Sequence, residues 1–242
     1  SPTPLRSGVP ATKLIDAAVA SNALTVEAWL DPASTAQSGP ARIVTCSNAS
    51  STRNFTLGQG VYLAGDDRYV LRLRTTETDD NGVPETATPV GSLTTELTHV
   101  VYTRDAQGNA SIYLDGILAQ SGIVGGTLAN WDPSHHLLLG DEVGGGRPWL
   151  GTYHMVALYE RALTLPEILD NFTPGPTGIP TPSAPLILSQ PFEAGVVDMP
   201  YTYDVQTSGY PVPVFNLVDP PAGMAIDPLS GLLAGGESLA ER

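Results

Sequence analysis

The sequence predicts an all-β fold, in which a two-sheet sandwich is followed by a smaller β module. Short runs of alternating apolar and polar residues recur along the chain, with turn residues roughly every eight to twelve positions. Gly (25) and Pro (22) are frequent, and 41% of the residues are hydrophobic, which is enough for a core. Helical periodicity is nearly absent, so strands joined by turns are the favoured reading.

The charge and cysteine content exclude several classes of protein. The formal net charge is −14, and Lys13 is the only lysine. Such an acidic chain lacks the basic patches that nucleic acids or anionic membranes require. No apolar run approaches the ~20 residues that span a bilayer, so membrane insertion is not expected. One cysteine, Cys46, rules out an intramolecular disulfide and is predicted to be a small core residue.

The first third of the chain contains an arm, a short helix and three strands. Residues 1–20 are predicted to be an extended arm that ends in a helical piece packed across a sheet edge. In Leu24–Leu30, four apolar residues alternate with Thr, Glu and Trp, which is the pattern of a strand. Ala41–Cys46 and Asn54–Gln59 are the next two apolar runs.

The middle of the chain predicts further strands and two tight turns. In Tyr69–Arg74, Tyr69, Leu71 and Leu73 lie on one face, and Arg72 and Arg74 lie on the other. The remaining features of this part are the strands Leu97–Arg104 and Ala110–Leu118, the turn Asp105–Asn109, the hairpin at Asp115-Gly116, and Leu137–Leu139 before the glycine loop Gly144–Gly146.

A strand and a short helix are predicted to close this part of the chain. Gly151–Leu163 begins with a turn glycine and continues with residues of strand type. Thr164 is a suitable N-cap, and Glu167 follows three residues later, as in a capping box. The apolar side of the helix consists of Leu165, Ile168, Leu169 and Phe172.

Four segments resemble the laminin-G-like jelly rolls of the concanavalin A-like lectin/glucanase superfamily. They are Leu24–Leu30, Tyr113–Gly116, Leu138–Gly140 and Gly151–Leu163. The resemblance covers roughly residues 20–173 and implies a laminin-G-like β-sandwich over 1–173, including the arm. Ser38–Gly58 is similar to a subgroup found as accessory modules of bacterial secreted or surface proteins. His154 and Met155 stand where the family has an acidic pair, and this departure weakens the family's calcium site.

The second part of the chain is a proline-rich linker and a small β module. Thr173–Pro185 holds five prolines and is predicted to be extended, with residues 174–185 as the linker proper. Pro220–Leu232 resembles a signature of bacterial Ig-like, cadherin-like repeats, which implies an Ig-like module over 186–242. This range is shorter than the ~100 residues of an immunoglobulin sandwich. The module is therefore expected to be partial, with an exposed strand edge open to strand addition.

Arginine and tryptophan side chains are the candidate ligand-binding residues. Arg72 and Arg74, with Arg53 or Arg147 nearby, would hold an anionic group through bidentate contacts. Trp149 is a candidate stacking platform for a sugar, as are Trp29 and Trp131. The alternative is that the tryptophans are core residues and that the arginines form ion pairs.

Calcium is the candidate cofactor, because carboxylate-bearing loops are plentiful. The acids are Asp66 and Asp67 in one loop, Asp79 and Asp80 in a second, and Asp141 and Glu142 in a third. Many laminin-G-like relatives carry one calcium ion at a sandwich edge. The alternative is that each loop is a solvated turn, and no histidine shows the spacing of a zinc site.

The sequence favours a non-catalytic extracellular module of a bacterial surface or secreted protein, which recognises a carbohydrate or a protein. An alternative is a structural subunit of a filament or surface array, a homo-oligomer joined through the arm and the incomplete second module. Glycan hydrolysis is the weaker alternative, because it needs two carboxyls facing one bond. Glu27 and Asp31 are four residues apart, but the glucanase string of alternating acids is missing.

Overall fold

The computed structural model divides the chain into two compact units, Ser1–Gly178 and Ile179–Arg242. The described residues are 4–37, 39–61, 64–176, 183–191, 200–210, 213–228 and 230–235. The division falls inside the predicted linker, and residues 177–182 of that linker lie outside the described residues.

The first unit is a jelly-roll β-sandwich of two antiparallel sheets, as the sequence predicts. Among its described residues, sheet A has six strands in the order β1-β10-β3-β4-β5-β6, and sheet B has five in the order β11-β2-β7-β8-β9. The strands are β1 (Leu5–Arg6), β2 (Leu24–Pro32), β3 (Ala41–Ala49), β4 (Thr52–Val61), β5 (Ala64–Leu73), β6 (Thr86–Ala87), β7 (Thr98–Arg104), β8 (Asn109–Leu114), β9 (Ile117–Ile123), β10 (His136–Leu139) and β11 (Gly151–Tyr159).

The main core lies between the two sheets and follows from strand alternation. The inward side chains of β2 meet those of β3, β4 and β5, and large residues such as Leu57 and Tyr102 are fully buried. Burying each large apolar side chain contributes roughly 1.5–3 kcal/mol. The predicted helical piece is α1 (Thr12–Ser21), which adds Ile15 and Ala18 to this core.

A second helix covers β2 and β7 on the outer face of sheet B, whereas β9 is largely exposed. Helix α2 (Leu165–Phe172) begins with the predicted capping box, in which the backbone N–H of Thr164 donates to Glu167 at 2.8 Å. Ile168 packs with Val101 of β7. Because α2 covers it, β2 is buried on both faces, although its sequence alternates like a half-buried strand.

The predicted hairpin at Asp115-Gly116 joins β8 to β9. Both residues have left-handed backbone angles, with φ values of 49° and 76°. A Cβ on Gly116 would lie 2.7 Å from a methyl group of Leu169, so the glycine allows both the turn and the close approach of α2.

Cys46 is a buried core residue on β3, as the sequence predicts. Burial raises the pKa of its thiol to about 12, so the thiol is neutral at physiological pH. We expect a thiol reagent such as DTNB to leave native protein unlabelled and to react with one equivalent after unfolding in urea. Rapid labelling of native protein would contradict this placement.

The second unit contains two small antiparallel sheets in its described residues. One pairs β12 (Ser183–Ile187) with β14 (Thr207–Tyr210), and the other has the order β13-β16-β15. The strands of the latter are β13 (Tyr201–Asp204), β15 (Met224–Ile226) and β16 (Leu232–Gly235). An Ig-like fold for this unit stays a prediction. Within the described residues of the chain, neither helix has the length and apolar character of a membrane span.

Candidate functional site

The outer face of sheet A carries a row of polar residues beside the core. Thr45, Thr56 and Arg72 are register partners across β3, β4 and β5. Leu57 and Leu71 occupy the neighbouring row and point into the core. Arg72 therefore lies on the face that the sequence predicts for it, opposite Leu71.

Arg42 lies on this face and has its donors occupied within the chain. Its Nε donates to Glu142 at 2.9 Å, and its two Nη atoms donate to the carbonyls of Pro40 at 2.6 Å and Ser50 at 3.2 Å. Glu142 also accepts a hydrogen bond from Ser47. Arg42 and Glu142 form a buried ion pair that ties the glycine loop to β3.

Arg53 is fully buried beside Arg42 and is only partly satisfied. Its Nη atoms donate to the hydroxyl of Thr56 at 3.1 Å and to the carbonyl of Ser50. Its Nε has no hydrogen-bond acceptor. Burial, followed by repulsion from Arg42, lowers the pKa of Arg53 to about 9, so the side chain remains charged at neutral pH.

Arg72 lies on the same face, and its guanidinium makes no hydrogen bond to a described residue. It is 8% exposed, and no described residue accepts a hydrogen bond from its guanidinium. The nearest carboxylate is that of Glu85, whose Oε2 lies 3.6 Å from Nε, too far for a hydrogen bond. Arg42, Arg53 and Arg72 are together called the arginine layer below.

The other predicted ligand-binding residues are engaged elsewhere. Arg74 pairs with Asp80 at 2.9 Å. The backbone N–H of Arg147 donates a hydrogen bond to the carboxylate of Asp141 at 2.8 Å, and its Nη1 donates to the carbonyl of Gly39 at 3.3 Å. Trp149 is 2% exposed, and its indole N–H donates to Gln59 at 3.0 Å. The expectation of a stacking platform at Trp149 disagrees with this structure, because the ring is packed in the core.

The predicted calcium ligands lie in separate loops and are mostly committed to hydrogen bonds. Asp67 accepts from the backbone of Gly91, and Asp79 accepts from those of Asn81 and Val83. The contacts of the other described acids are those given above: Asp141 with the backbone of Arg147, Asp80 with Arg74, and Glu142 with Arg42. The side chain of Asp66 lies outside the described part of the structure. Within the described residues, no group of three His, Cys, Asp or Glu side chains converges on a metal site. The described acids therefore form no such site, and calcium binding stays a prediction.

Glu27 forms a second buried polar cluster on the outer face of sheet B. Its carboxylate meets His99 Nε2 at 2.7 Å and accepts hydrogen bonds from Tyr159 at 2.8 Å and Asn171 at 3.0 Å. Trp29 stacks on His99 with ring centroids 4.7 Å apart and on Phe172 of α2 at 5.6 Å. Burial alone raises the pKa of Glu27, but the hydrogen bonds, that of His99 first, lower it below its usual value.

Sequence reasoning did not find the role of Arg42 or the ion pair of Glu142. One signal was present, because Arg42 interrupts the apolar run Ala41–Cys46 of a strand that is buried on both faces. A charged residue in such a strand requires a partner. Its partner is 100 positions away, and no local pattern identifies it.

Solved structures similar to this chain share its sandwich. The native heptameric SAP-like pentraxin from Limulus polyphemus matches with a TM-score of 0.50 and 18% identity, covering 70% of this chain and 75% of that chain. The Ruminococcus gnavus IT-sialidase CBM40 matches with a TM-score of 0.50 and 15% identity, covering 68% of this chain and 91% of that chain. At these identities the likeness concerns the fold alone, and none of the curated proteins matches the chain.

The sequence itself matches a family profile over most of the first unit. The matched residues are 7–169, and the profile describes the concanavalin A-like lectin/glucanases superfamily. This range includes every strand of the two sheets except β1, together with the arginine layer and most of α2. The protein therefore belongs to the concanavalin A-like lectin/glucanases superfamily.

Proposed function

We propose that this chain is a non-catalytic extracellular binding module that recognises a glycan on the outer face of sheet A, with Arg72 as the central contact. The observation that carries the proposal is the guanidinium of Arg72, which donates to no described residue. A guanidinium is a planar fork of five donors that holds oxygen atoms in fixed geometry. The residue is 8% exposed and its Nε is buried, so a ligand would contact the terminal nitrogens of the guanidinium.

The comparisons supply the fold on which this proposal rests. The sialidase CBM40 was also solved bound to alpha2,3 sialyllactose. A shared fold does not show that two proteins bind the same ligand, so the binding site has to be argued from the residues of this chain. They favour Arg72 on the outer face of sheet A, because its Nε has no hydrogen-bond acceptor and its nearest ion-pair contact, with Glu85, is 3.6 Å long.

The environment of Glu27 argues against glycan hydrolysis. A glycosidase places two carboxyl groups about 5–10 Å apart on either side of an accessible bond. Glu27 is fully buried, and its two oxygens are hydrogen-bonded to His99, Tyr159 and Asn171. A carboxylate held in this way stabilises the fold and is closed to a substrate.

The filament alternative gains no support from the arm in this structure. Leu5 and Arg6 of β1 pair with Leu139 and Leu138 of β10 in the same sheet. The arm is therefore docked on its own unit. We keep a protein ligand as the second candidate for the same face, and the experiment below distinguishes the two.

Binding to an array of immobilised neutral and acidic glycans tests the proposal. We expect wild-type protein to bind a subset of glycans and Arg72→Ala to bind them about 10- to 100-fold more weakly, which is the effect of losing charge-assisted hydrogen bonds. Arg161→Ala is the matched control, because Arg161 is a surface residue that follows β11 of sheet B and pairs with Glu167.

Two results would contradict the proposal. If no glycan is bound by the wild-type protein, a protein ligand becomes the leading candidate. If Arg161→Ala weakens binding as much as Arg72→Ala, the binding face is not on sheet A. Both variants are first checked for an unchanged far-UV spectrum and melting temperature.

A further inference from the structure

We infer that two copies of this chain associate through β9, the exposed edge strand of sheet B, and that the two strands pair antiparallel across a two-fold axis. β9 is the last strand in the order of sheet B, so one of its edges has no strand partner among the described residues. The association is independent of the proposed glycan site. Three features support it: the exposure of β9, its lack of charge, and the protection of the other sheet edges.

Exposed apolar side chains stand at both ends of β9. Ile117 and Leu118 at its start are 73% and 52% exposed, and Ile123 at its end is 71% exposed. Leu169 of α2, which lies against Gly116, is 42% exposed and extends this apolar surface. Apolar side chains that are exposed next to one another, as these are, are typical of interaction surfaces.

The strand is also free of charge in an acidic chain. Residues 116–131 contain no Asp, Glu, Lys, Arg or His, whereas the whole chain has a net charge of −14. Two acids near the ends of β9 are hydrogen-bonded within the unit, Asp115 to the backbone of His99 and Asp105 to the side chain of Asn109. Two copies of so acidic a chain repel each other, so they approach closely only through a neutral surface. A basic partner would prefer the acidic remainder of the surface, which favours a second copy as the occupant.

The other three edges in the described part of the sandwich are protected against strand pairing. β1 and β6, the edges of sheet A, have two residues each. β11, the second edge of sheet B, has a register shift between Tyr153 and Met155, where His154 lies 3.0 Å from Asp31. β9 has seven residues without proline or charge, and after one irregularity in its pairing with β8 the residues Gln120–Ile123 are in regular register. Short length, bulges, prolines and charges are the usual protection of edge strands, so β9 is the edge open to pairing.

The side-chain pattern of β9 fits a two-fold axis perpendicular to sheet B. Antiparallel pairing places the start of one strand opposite the end of the other, so Leu118 of one copy would lie beside Ile123 of the second copy. Both side chains lie on the outer face. The register partner of Leu118 is Tyr113, which packs with Ile168 of α2, and that of Ile123 is the exposed Asn109. β6 of the opposite sheet lies near β9 but pairs with β5, so it does not occupy this edge.

The association would continue sheet B from one copy into the other. A two-fold axis perpendicular to the sheet turns neither copy over, so the outer faces of the two copies of sheet A point in the same direction. This consequence rests on the proposed function: if each copy binds a glycan through Arg72, the pair presents two sites to one surface and gains affinity from bivalency.

Sedimentation velocity of the full chain over a range of concentrations tests the inference. A single pair of seven-residue strands buries a small area, so we expect a dissociation constant in the micromolar range. The weight-average mass is expected to rise from 25.3 kDa at about 1 µM toward twice that value at about 200 µM. A mass that stays at 25.3 kDa over the whole range would overturn the inference.

Two charge variants locate the contact, and their mixture restores it. Leu118→Lys and Ile123→Glu each place a charge in the apolar contact and are expected to raise the dissociation constant at least about tenfold. In an equal mixture, an introduced ammonium group faces an introduced carboxylate, so the mixed dimer is expected to be tighter than either variant alone. Leu150→Glu is the matched control, because Leu150 is 48% exposed and precedes β11 at the other edge of sheet B.

The remaining outcomes separate this association from other modes and from the proposed function. Association that survives in both charge variants, or that Leu150→Glu abolishes equally, would exclude β9 as the contact. A mass that rises beyond that of a dimer would contradict a closed two-fold pair. Arg72→Ala is expected to dimerise like the wild-type protein, so the glycan site and the dimer can fail independently.

Discussion

Replacing Glu27 with alanine is expected to lower the free energy of unfolding of the first unit by about 3–5 kcal/mol. The carboxylate of Glu27 is fully buried and hydrogen-bonded to the side chains of His99, Tyr159 and Asn171. Its removal leaves these three polar groups unsatisfied beneath α2 and opens a cavity against the outer face of sheet B. Urea denaturation at pH 7, followed by tryptophan fluorescence, measures the loss.

Because of the carboxylate of Glu27, the stability of the first unit is expected to depend on pH. Burial raises the pKa of Glu27, but the hydrogen bonds from His99, Tyr159 and Asn171 outweigh it and lower the pKa on folding. The stabilising contribution of Glu27 is therefore fully present above the pKa of an unfolded glutamate and is lost as the pH falls through the lower folded value. The acid-induced loss of stability in this window is expected to shrink in Glu27→Gln. Glu160→Gln is the control, because Glu160 is exposed at the end of β11. Equal acid sensitivity in the two variants would show that Glu27 does not control this transition.

Replacing Glu142 with alanine is also expected to lower the free energy of unfolding of the first unit by about 3–5 kcal/mol. The substitution leaves Arg42 buried without its counter-ion, next to Arg53. It also releases the hydroxyl of Ser47 and the loop that carries Glu142. The measurement is again urea denaturation, with Asp80→Ala as the control. That variant breaks the exposed Arg74–Asp80 pair and should cost less than about 1 kcal/mol.

A double-mutant cycle distinguishes a buried ion pair from two independent contacts. Arg42→Met with Glu142→Leu replaces both charges by apolar side chains. We expect the double variant to be more stable than Glu142→Leu alone, because no unpaired charge remains. Strictly additive losses would contradict the account of Glu142 as the counter-ion of Arg42.

The local elements of the first unit were predictable because their signals lie within a few residues. The capping box at Thr164 and Glu167, the hairpin at Asp115-Gly116 and the strand Leu24–Leu30 depend on neighbouring positions. Strand alternation also placed Arg72 on the face opposite Leu71. These features are determined by backbone geometry and do not depend on the rest of the fold.

The coverage of the two outer faces could not be predicted from such patterns. Trp149 was a candidate stacking platform with a packed position as the alternative, and the structure places its ring in the core against Tyr153 with centroids 4.7 Å apart. Glu142 was expected to be a calcium ligand, but Arg42, 100 positions away, takes its carboxylate. Contacts between distant segments decide which polar residues stay accessible, and a single sequence carries little information on them.

Nuclear magnetic resonance of the side-chain Nε–H group of Arg72 tests the central claim most directly. The protein is titrated with a glycan selected on the array, and the backbone amides of the first unit are recorded in the same spectra. We expect changes at Arg72 and Thr56 on sheet A, with none at Leu169 of α2. Changes confined to α2 and sheet B, with an unchanged signal from Arg72, would contradict a binding site on the arginine layer.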